Sequence, residues 1–187
     1  MLKLGLALTG SFCTLHRVLE ALEPLKERYD LYPIMSPIVY NTDTRFGTAA
    51  LFRERLEHLC GKPIWHTVAE VEPIGPQKLL DALLIAPCTG NTLAKLALGV
   101  TDTAVTMAAK SILRNDRPVI LALSTHDGLS GSAKNIGTLQ TLRNYYFVPY
   151  GQDDADTKPR SCVAHFELIP ETLEAALQGK QLQPFLL

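Results

Sequence analysis

Ala82-Leu83-Leu84-Ile85-Ala86-Pro87-Cys88-Thr89-Gly90-Asn91-Thr92 runs from an unbroken apolar segment into a loop of small polar residues. An apolar run without polar alternation predicts a strand buried on both faces, as in the middle of a parallel sheet. Beyond the loop, Leu93, Leu96, Ala97 and Val100 recur at helical spacing. Val105, Ala108, Ala109 and Ile112 continue the pattern, and Asn115-Asp116 closes the helix pair. Strand, small polar loop and helix form a unit, and the rest of the chain repeats its rhythm.

Upstream, Leu4 to Leu8 is a short apolar run ended by Gly10-Ser11, and Leu15, Val18, Leu19, Leu22 and Leu25 share a helix face on which Pro24 imposes a break. Met1 to Leu8 has the apolarity of a signal-peptide core, but Thr9-Gly10-Ser11 offers no small-x-small cleavage site, so a buried first strand is expected. Leu31 to Met35 reads as a second strand despite Pro33, followed by a polar stretch from Ser36 to Gly47. Ala49, Phe52, Leu56 and Leu59 then form a helix closed by Gly61, and Ile64-Trp65 a brief strand; Glu72-Pro73-Ile74-Gly75-Pro76 is expected to be irregular. Downstream, Pro118 to Leu123 is a strand that leads into Ser124-Thr125-His126-Asp127-Gly128. Ile136, Leu139 and Leu142 continue helically before a short strand Tyr146 to Val148. Residues 151–161 are expected to form a mobile polar loop, Pro170 to Gln178 a last helix capped by Gly179, and 179–187 a tail. Alternating strands and helices without an internal repeat predict one α/β domain over 1–187, with a doubly wound parallel sheet.

Composition agrees. The 187 residues match one domain at about 150 residues each, and 47% hydrophobic with 20% charged residues describes a chain that buries a core. A net charge of −1 builds in no general attraction to nucleic acid or anionic lipid, and no apolar run is long enough to span a bilayer. The 4 cysteines, Cys13, Cys60, Cys88 and Cys162, lie singly, without metal spacing or the density of a disulfide scaffold, which points to a reducing cytoplasm.

In a doubly wound sheet the ligand lies beyond the carboxyl ends of the strands. Those ends carry Gly10, Ser11, Ser36, Thr89, Gly90, Asn91, Thr92, Ser124 and Thr125, all small hydroxyl, amide or glycine residues suited to a phosphate-bearing ligand. Taken singly, Ser11, Thr89 and Thr92 serve equally well as helix N-caps. Neither G-x-G-x-x-G nor a P-loop occurs, which favours a mononucleotide over NAD or ATP. Asn91 either caps a helix or bonds a flavin ring or substrate carboxylate. Arg45 is either a bidentate anion clamp or an isolated surface residue. His126, just past an apolar strand, is placed as an acid, a base or a carboxylate partner, whereas Cys13 and Cys88 read as inert thiols.

These loops resemble a known family. Ala86-Pro87-Cys88-Thr89-Gly90-Asn91-Thr92-Leu93-Ala94-Lys95 is similar to the Pro-x-Ser/Thr-x-Asn-Thr loop of the homo-oligomeric flavin-containing cysteine decarboxylases, and Gly10-Ser11 to their first flavin-phosphate loop. Asn41 to Gly47, Met107 to Lys110, Tyr146 to Asp153 and Gly179 to Pro184 resemble, in order, the branch of that superfamily formed by the dipicolinate synthase B subunits. The resemblance implies a flavodoxin-like three-layer fold, bound FMN held by Gly10, Ser11, Ser36, Pro87, Thr89, Gly90, Asn91, Thr92, Ser124 and Thr125, and a homo-oligomer. It further implies a cytoplasmic oxidoreductase subunit in the mother cell of a sporulating bacterium. Its reaction would convert dihydrodipicolinate to dipicolinate together with the A subunit of dipicolinate synthase, on which NADP would bind. Arg45 and His126 would be the carboxylate partners in catalysis. Two departures bear on chemistry: Pro73-Ile74-Gly75-Pro76-Gln77 holds no His where the decarboxylases carry their catalytic one, and Ser124-Thr125-His126-Asp127 replaces their Pro-x-Met-Asn loop. The alternatives are a stand-alone FMN-dependent decarboxylase and a non-catalytic assembly subunit.

Overall fold

The computed structural model describes all 187 residues. Strand β1 (Leu2–Leu8) leads through a 3-10 turn into helix α1 (Leu15–Leu22), and a second 3-10 segment, Glu23–Glu27, follows where Pro24 ends the α-helical pattern. Strand β2 (Tyr29–Met35) precedes α2 (Pro37–Asn41) and α3 (Ala49–Cys60), the latter closed by Gly61 at φ 64°. Two short helices, α4 (Val68–Val71) and α5 (Ile74–Gln77), lead to β3 (Ala82–Cys88), α6 (Gly90–Leu98) and α7 (Ala104–Leu113). The chain ends with β4 (Val119–Thr125), α8 (Ala133–Thr141), β5 (Tyr145–Phe147), the hairpin β6 (Tyr150–Asp154) and β7 (Lys158–Ala164), and α9 (Ile169–Leu177).

Strands β1 to β5 are parallel in the order β2-β1-β3-β4-β5, a flavodoxin-like arrangement whose order reverses between β1 and β3. Every residue of β3 is buried, as its unbroken apolar run predicts, because it has strands on both edges and helices on both faces. Helices α1 and α9 pack on one side of the sheet, against β3, β4 and β5. Helix α7 packs on β2, β3 and β4 and carries α4, α5 and α6. The buried apolar side chains form one contiguous cluster. No helix is long and apolar enough to cross a membrane.

Pro33 is tolerated because β2 is an edge strand. Its carbonyl accepts Trp65 N–H at 2.9 Å on the outer side, so its missing donor also faces away from β1. The brief strand expected at Ile64-Trp65 is reduced to this single bridge.

Three expectations differ from the structure. Residues 74–77 form a helical turn, not an irregular loop, because Pro76 lies in the first turn, where its absent N–H has no intrahelical partner to lose. Val100 falls beyond α6, which Gly99 ends in the left-handed region at φ 71°. Residues 151–161, expected to be a loop, supply much of the antiparallel hairpin β6–β7, whose β7 pairs with the carboxyl end of β4 through Ser124–Val163 and Thr125–Cys162. The tail does not hang free: the Gln181 amide accepts Phe147 N–H at 2.8 Å and donates to its carbonyl at 2.7 Å, and Phe185 packs edge-on against Tyr150 and Phe147.

Ile85→Ala removes the centre of β3 and should lower unfolding free energy by about 2–5 kcal/mol. Urea denaturation reads this directly, and a midpoint equal to that of the parent chain would mean that β3 is not the packed centre of the sheet.

Candidate functional site

At the reversal point, the buried Thr9 hydroxyl donates to the Pro87 carbonyl at 2.7 Å and accepts Thr89 N–H at 3.1 Å, which joins the ends of β1 and β3. Thr89 then caps α6 by accepting Thr92 N–H at 3.3 Å. Around this junction lie two cavities of about 500 Å³ and 400 Å³ that share Gly10, Thr89 and Asn91 in their walls. The larger reaches Ser11, Gly90, Ser124, Thr125, His126 and Asp127; the smaller reaches Ser36, Ile38, Thr92, Lys95, Thr103 and Thr106.

Ser36 is buried at the N-cap of α2, and its Oγ has no hydrogen-bond partner in the protein. A buried hydroxyl left unpaired costs about 1–3 kcal/mol, and its place in the wall of the smaller cavity leaves it available to a ligand atom or a water there. Gly10 lies beside it, where a Cβ would come within 2.9 Å of Ile38 Cγ2, so only glycine leaves this wall unobstructed. Hydroxyl donors, a close backbone and a helix N-terminus fit a phosphate-bearing group such as FMN. Lys95 supplies no free charge to this wall, since its ammonium lies 2.8 and 2.9 Å from the two Asp102 oxygens.

The other wall is different. Thr125 and Ser132 both donate to Asp127 Oδ1, at 2.6 and 2.7 Å. The Thr125 hydrogen bond, reinforced by Ser132, holds the Asp127 carboxyl below its ordinary range, although partial burial pushes it upward. With their protons committed to Asp127, these two hydroxyls can only accept from a ligand. Ser11 Oγ and Ser124 Oγ pair at 2.6 Å and close the floor between the β1 and β4 ends.

The structure therefore gathers Gly10, Ser11, Ser36, Thr89, Gly90, Asn91, Thr92, Ser124 and Thr125 around one cleft. Pro87 stands behind it and contributes only its carbonyl to Thr9. His126 is exposed at the rim of the larger cavity. Arg45 is exposed in the Thr44–Gly47 turn with its guanidinium 4.8 Å from the Phe46 ring centre, and it lines neither cavity. Cys88 is buried in β3, where burial pushes its thiol up; Cys13 is exposed and apart from it. Asp127 and Ser132 were missed by sequence reasoning. Their signal was present in the hydroxyl-Asp-hydroxyl spacing, but only the loop's fold shows that one carboxylate oxygen takes both protons.

A family model described as Flavoprotein matches residues 1–169. The chain belongs to the Flavoprotein family. It is 43% identical over 185 residues to the dipicolinate synthase B subunit of Bacillus subtilis (strain 168), spanning 98% of this chain and 92% of that protein. The crystal structure of the dipicolinate synthase B subunit from Bacillus halodurans C superimposes with a TM-score of 0.90 at 42% identity, covering 99% of this chain and 95% of that one. This flavoprotein also shares its fold with the FMN-dependent cysteine decarboxylase SpaF, at TM-score 0.68 and 16% identity over 96% of this chain and 97% of that one.

In this flavoprotein the space beside Gly90 is filled. A Cβ there would sit 2.7 Å from both Thr125 Oγ1 and Ser132 Oγ and 3.0 Å from Asp127 Oδ1. Gly90→Ala should therefore cost about 1–3 kcal/mol in urea unfolding, by displacing the Asp127 network; a neutral substitution would show that the network is loose. Because the folded-state pKa of Asp127 is depressed, its stabilisation is complete above the ordinary carboxylate range and is lost as pH falls below about 4. Asp127→Asn should flatten that acid limb of the stability profile, and an unchanged slope between about pH 5 and about pH 2 would contradict it.

Proposed function

We propose that this flavoprotein is the flavin-holding B subunit of a dipicolinate synthase and works with the A subunit to convert dihydrodipicolinate into dipicolinate in a sporulating cell. The observation that carries the reading is the unpaired, buried Ser36 hydroxyl in a cleft of hydroxyls and amides, in a chain that belongs with subunits of that name. Gly10, Ser11, Ser36, Thr89, Gly90, Asn91, Thr92, Ser124 and Thr125 would hold FMN, with Ser36 and the Gly10 backbone on the phosphate side. FMN, when bound, supplies a two-electron acceptor. The substrate loses two electrons and two protons as its ring becomes aromatic, so no strong nucleophile is needed.

The protein's own groups bind and orient. The acceptor-only Thr125 and Ser132 hydroxyls disfavour a phosphate beside Asp127 and favour N–H or O–H donors of a ligand. The Asn91 amide at the shared wall offers both a donor and an acceptor to a ring edge or a carboxylate. His126 at the rim would take up a proton or pair with a carboxylate, whereas Arg45, whose turn lines neither cavity, is left without a substrate contact. The decarboxylase alternative is less favoured because residues 73–77, folded as the α5 turn, contain no His.

An FMN titration of the purified chain, followed by absorbance and fluorescence with and without the A subunit, tests the reading. Saturable binding at one site per chain is expected. Ser36→Ala should weaken it about tenfold, close to 1.4 kcal/mol, while leaving the flavin-free chain as stable as before or more so, because it removes an unpaired buried hydroxyl. Absence of binding in both conditions would assign the redox step to a nicotinamide cofactor such as NADP on the A subunit, and would leave this chain an assembly subunit.

A further inference from the structure

The cleft has a third compartment, of about 140 Å³, roofed by the β6–β7 hairpin. It adjoins the largest cavity, since Ser11, Ser124, Thr125 and His126 line both. At about 30 Å³ for each water it has room for a carboxylate and the edge of a ring, and not for a flavin.

Its charge sets it apart. The phosphate-side cavity has its only lysine neutralised by Asp102, and the larger cavity carries the ionised Asp127. Under the hairpin stand Arg17, from the solvent side of α1, and Lys158, from β7, against the single carboxylate of Asp153. Lys158 pairs with that carboxylate at 2.9 Å, whereas Arg17 makes no ion pair. The Arg17 guanidinium is instead steadied 5.5 Å from the centre of the Phe166 ring. Glu167, on the neighbouring segment, lies 3.1 Å from His165 Nδ1, and its carboxyl is held below its ordinary range first by its own backbone hydrogen bond and then by His165 and the Arg17 charge. The cleft thus presents one fixed cation outside any direct ion pair, on a planar fork that matches a carboxylate in two hydrogen bonds.

We propose that this compartment is the carboxylate subsite of the substrate site, where Arg17 binds one carboxylate of a small planar ring dicarboxylate whose ring extends toward the larger cavity past Ser11 and Ser124. The inference rests on the dicarboxylate reading given above and adds the residue that selects for it. Lys158 and Asp153, paired at 2.9 Å across the two hairpin strands, largely cancel one another and leave Arg17 as the charge that faces the subsite.

The test is calorimetric titration of the FMN-loaded chain with dipicolinate, pyridine-2-carboxylate and pyridine, repeated for Arg17→Gln and Arg17→Lys. Because Arg17 is exposed, both variants should fold, which thermal melting verifies. Arg17→Gln should weaken dipicolinate at least tenfold and leave FMN affinity within twofold, while Arg17→Lys should recover part of the loss by restoring charge without the fork. Pyridine should bind far more weakly than either acid. Unaltered dipicolinate affinity in Arg17→Gln, or a parent chain that takes FMN and no dipicolinate, would overturn the subsite. Arg17-dependent dipicolinate binding by a chain that takes no FMN would uphold the subsite and overturn the flavin reading.

Discussion

The Thr9 hydroxyl is the junction on which the site depends. Strand β3 loses its regular register with β4 between Ile85 and Cys88, where Pro87 interrupts the ladder and leaves backbone groups to be satisfied at the end of a buried strand. Thr9 meets that need from β1, donating to Pro87 and accepting from Thr89. One buried side chain therefore both repairs the sheet at its reversal point and fixes the distance between the Gly10-Ser11 loop and the N-terminus of α6. A smaller or apolar residue at this position would leave two buried backbone groups unpaired and the two loops unlinked.

From that junction the cleft acquires a direction. Ser36 and the Gly10 backbone stand on one side with an unsatisfied hydroxyl; Thr125, Ser132 and Asp127 stand on the other with every proton already assigned. An anion is favoured at the first end and repelled from the second. The Arg17 cation, which is in no direct ion pair, lies next to the acceptor-rich wall, not beyond the donor wall. The layout separates the Ser36 hydroxyl from the Arg17 cation by an acceptor-only segment around Asp127.

Much of this was legible in the sequence where burial imposes a pattern. The apolar run at Ala82 to Ala86, the helical spacing after Gly90 and the small polar residues at each strand end mark the parallel core and the loops that carry the site. The hairpin was not legible because it lies at the open end of the sheet. Most of the Lys158 to Arg160 segment is exposed, so no apolar alternation distinguishes it from a loop, and Pro159 argues against a strand. Arg17 was passed over for a related reason. Leu15, Val18, Leu19 and Leu22 define the buried face of α1, and a charged residue opposite them reads as solvated until the topology places the hairpin over that face. For the hairpin and Arg17 the environment is made by contacts distant in sequence, whereas Asp127 and Ser132 meet within one loop whose turn the spacing does not specify.

The same topology explains why the hairpin can be where it is. Strand β5 has three residues and pairs only with Val119 to Leu121, which leaves the carboxyl half of β4 without a neighbour on that edge. Ser124 and Thr125 are buried, so their backbone groups need partners, and β7 provides them by running antiparallel to β4, with Val163 opposite Ser124 and Cys162 opposite Thr125. Ser161 adds a hydrogen bond from its hydroxyl to the Thr125 carbonyl at 3.2 Å. The strand end that faces the ligand cleft is thereby the strand end that anchors the roof, and any shift of the hairpin is transmitted to the Thr125 hydroxyl and through it to Asp127. The short fifth strand thus makes room for the hairpin: a longer one would occupy the edge that the hairpin uses, and the third compartment would not exist.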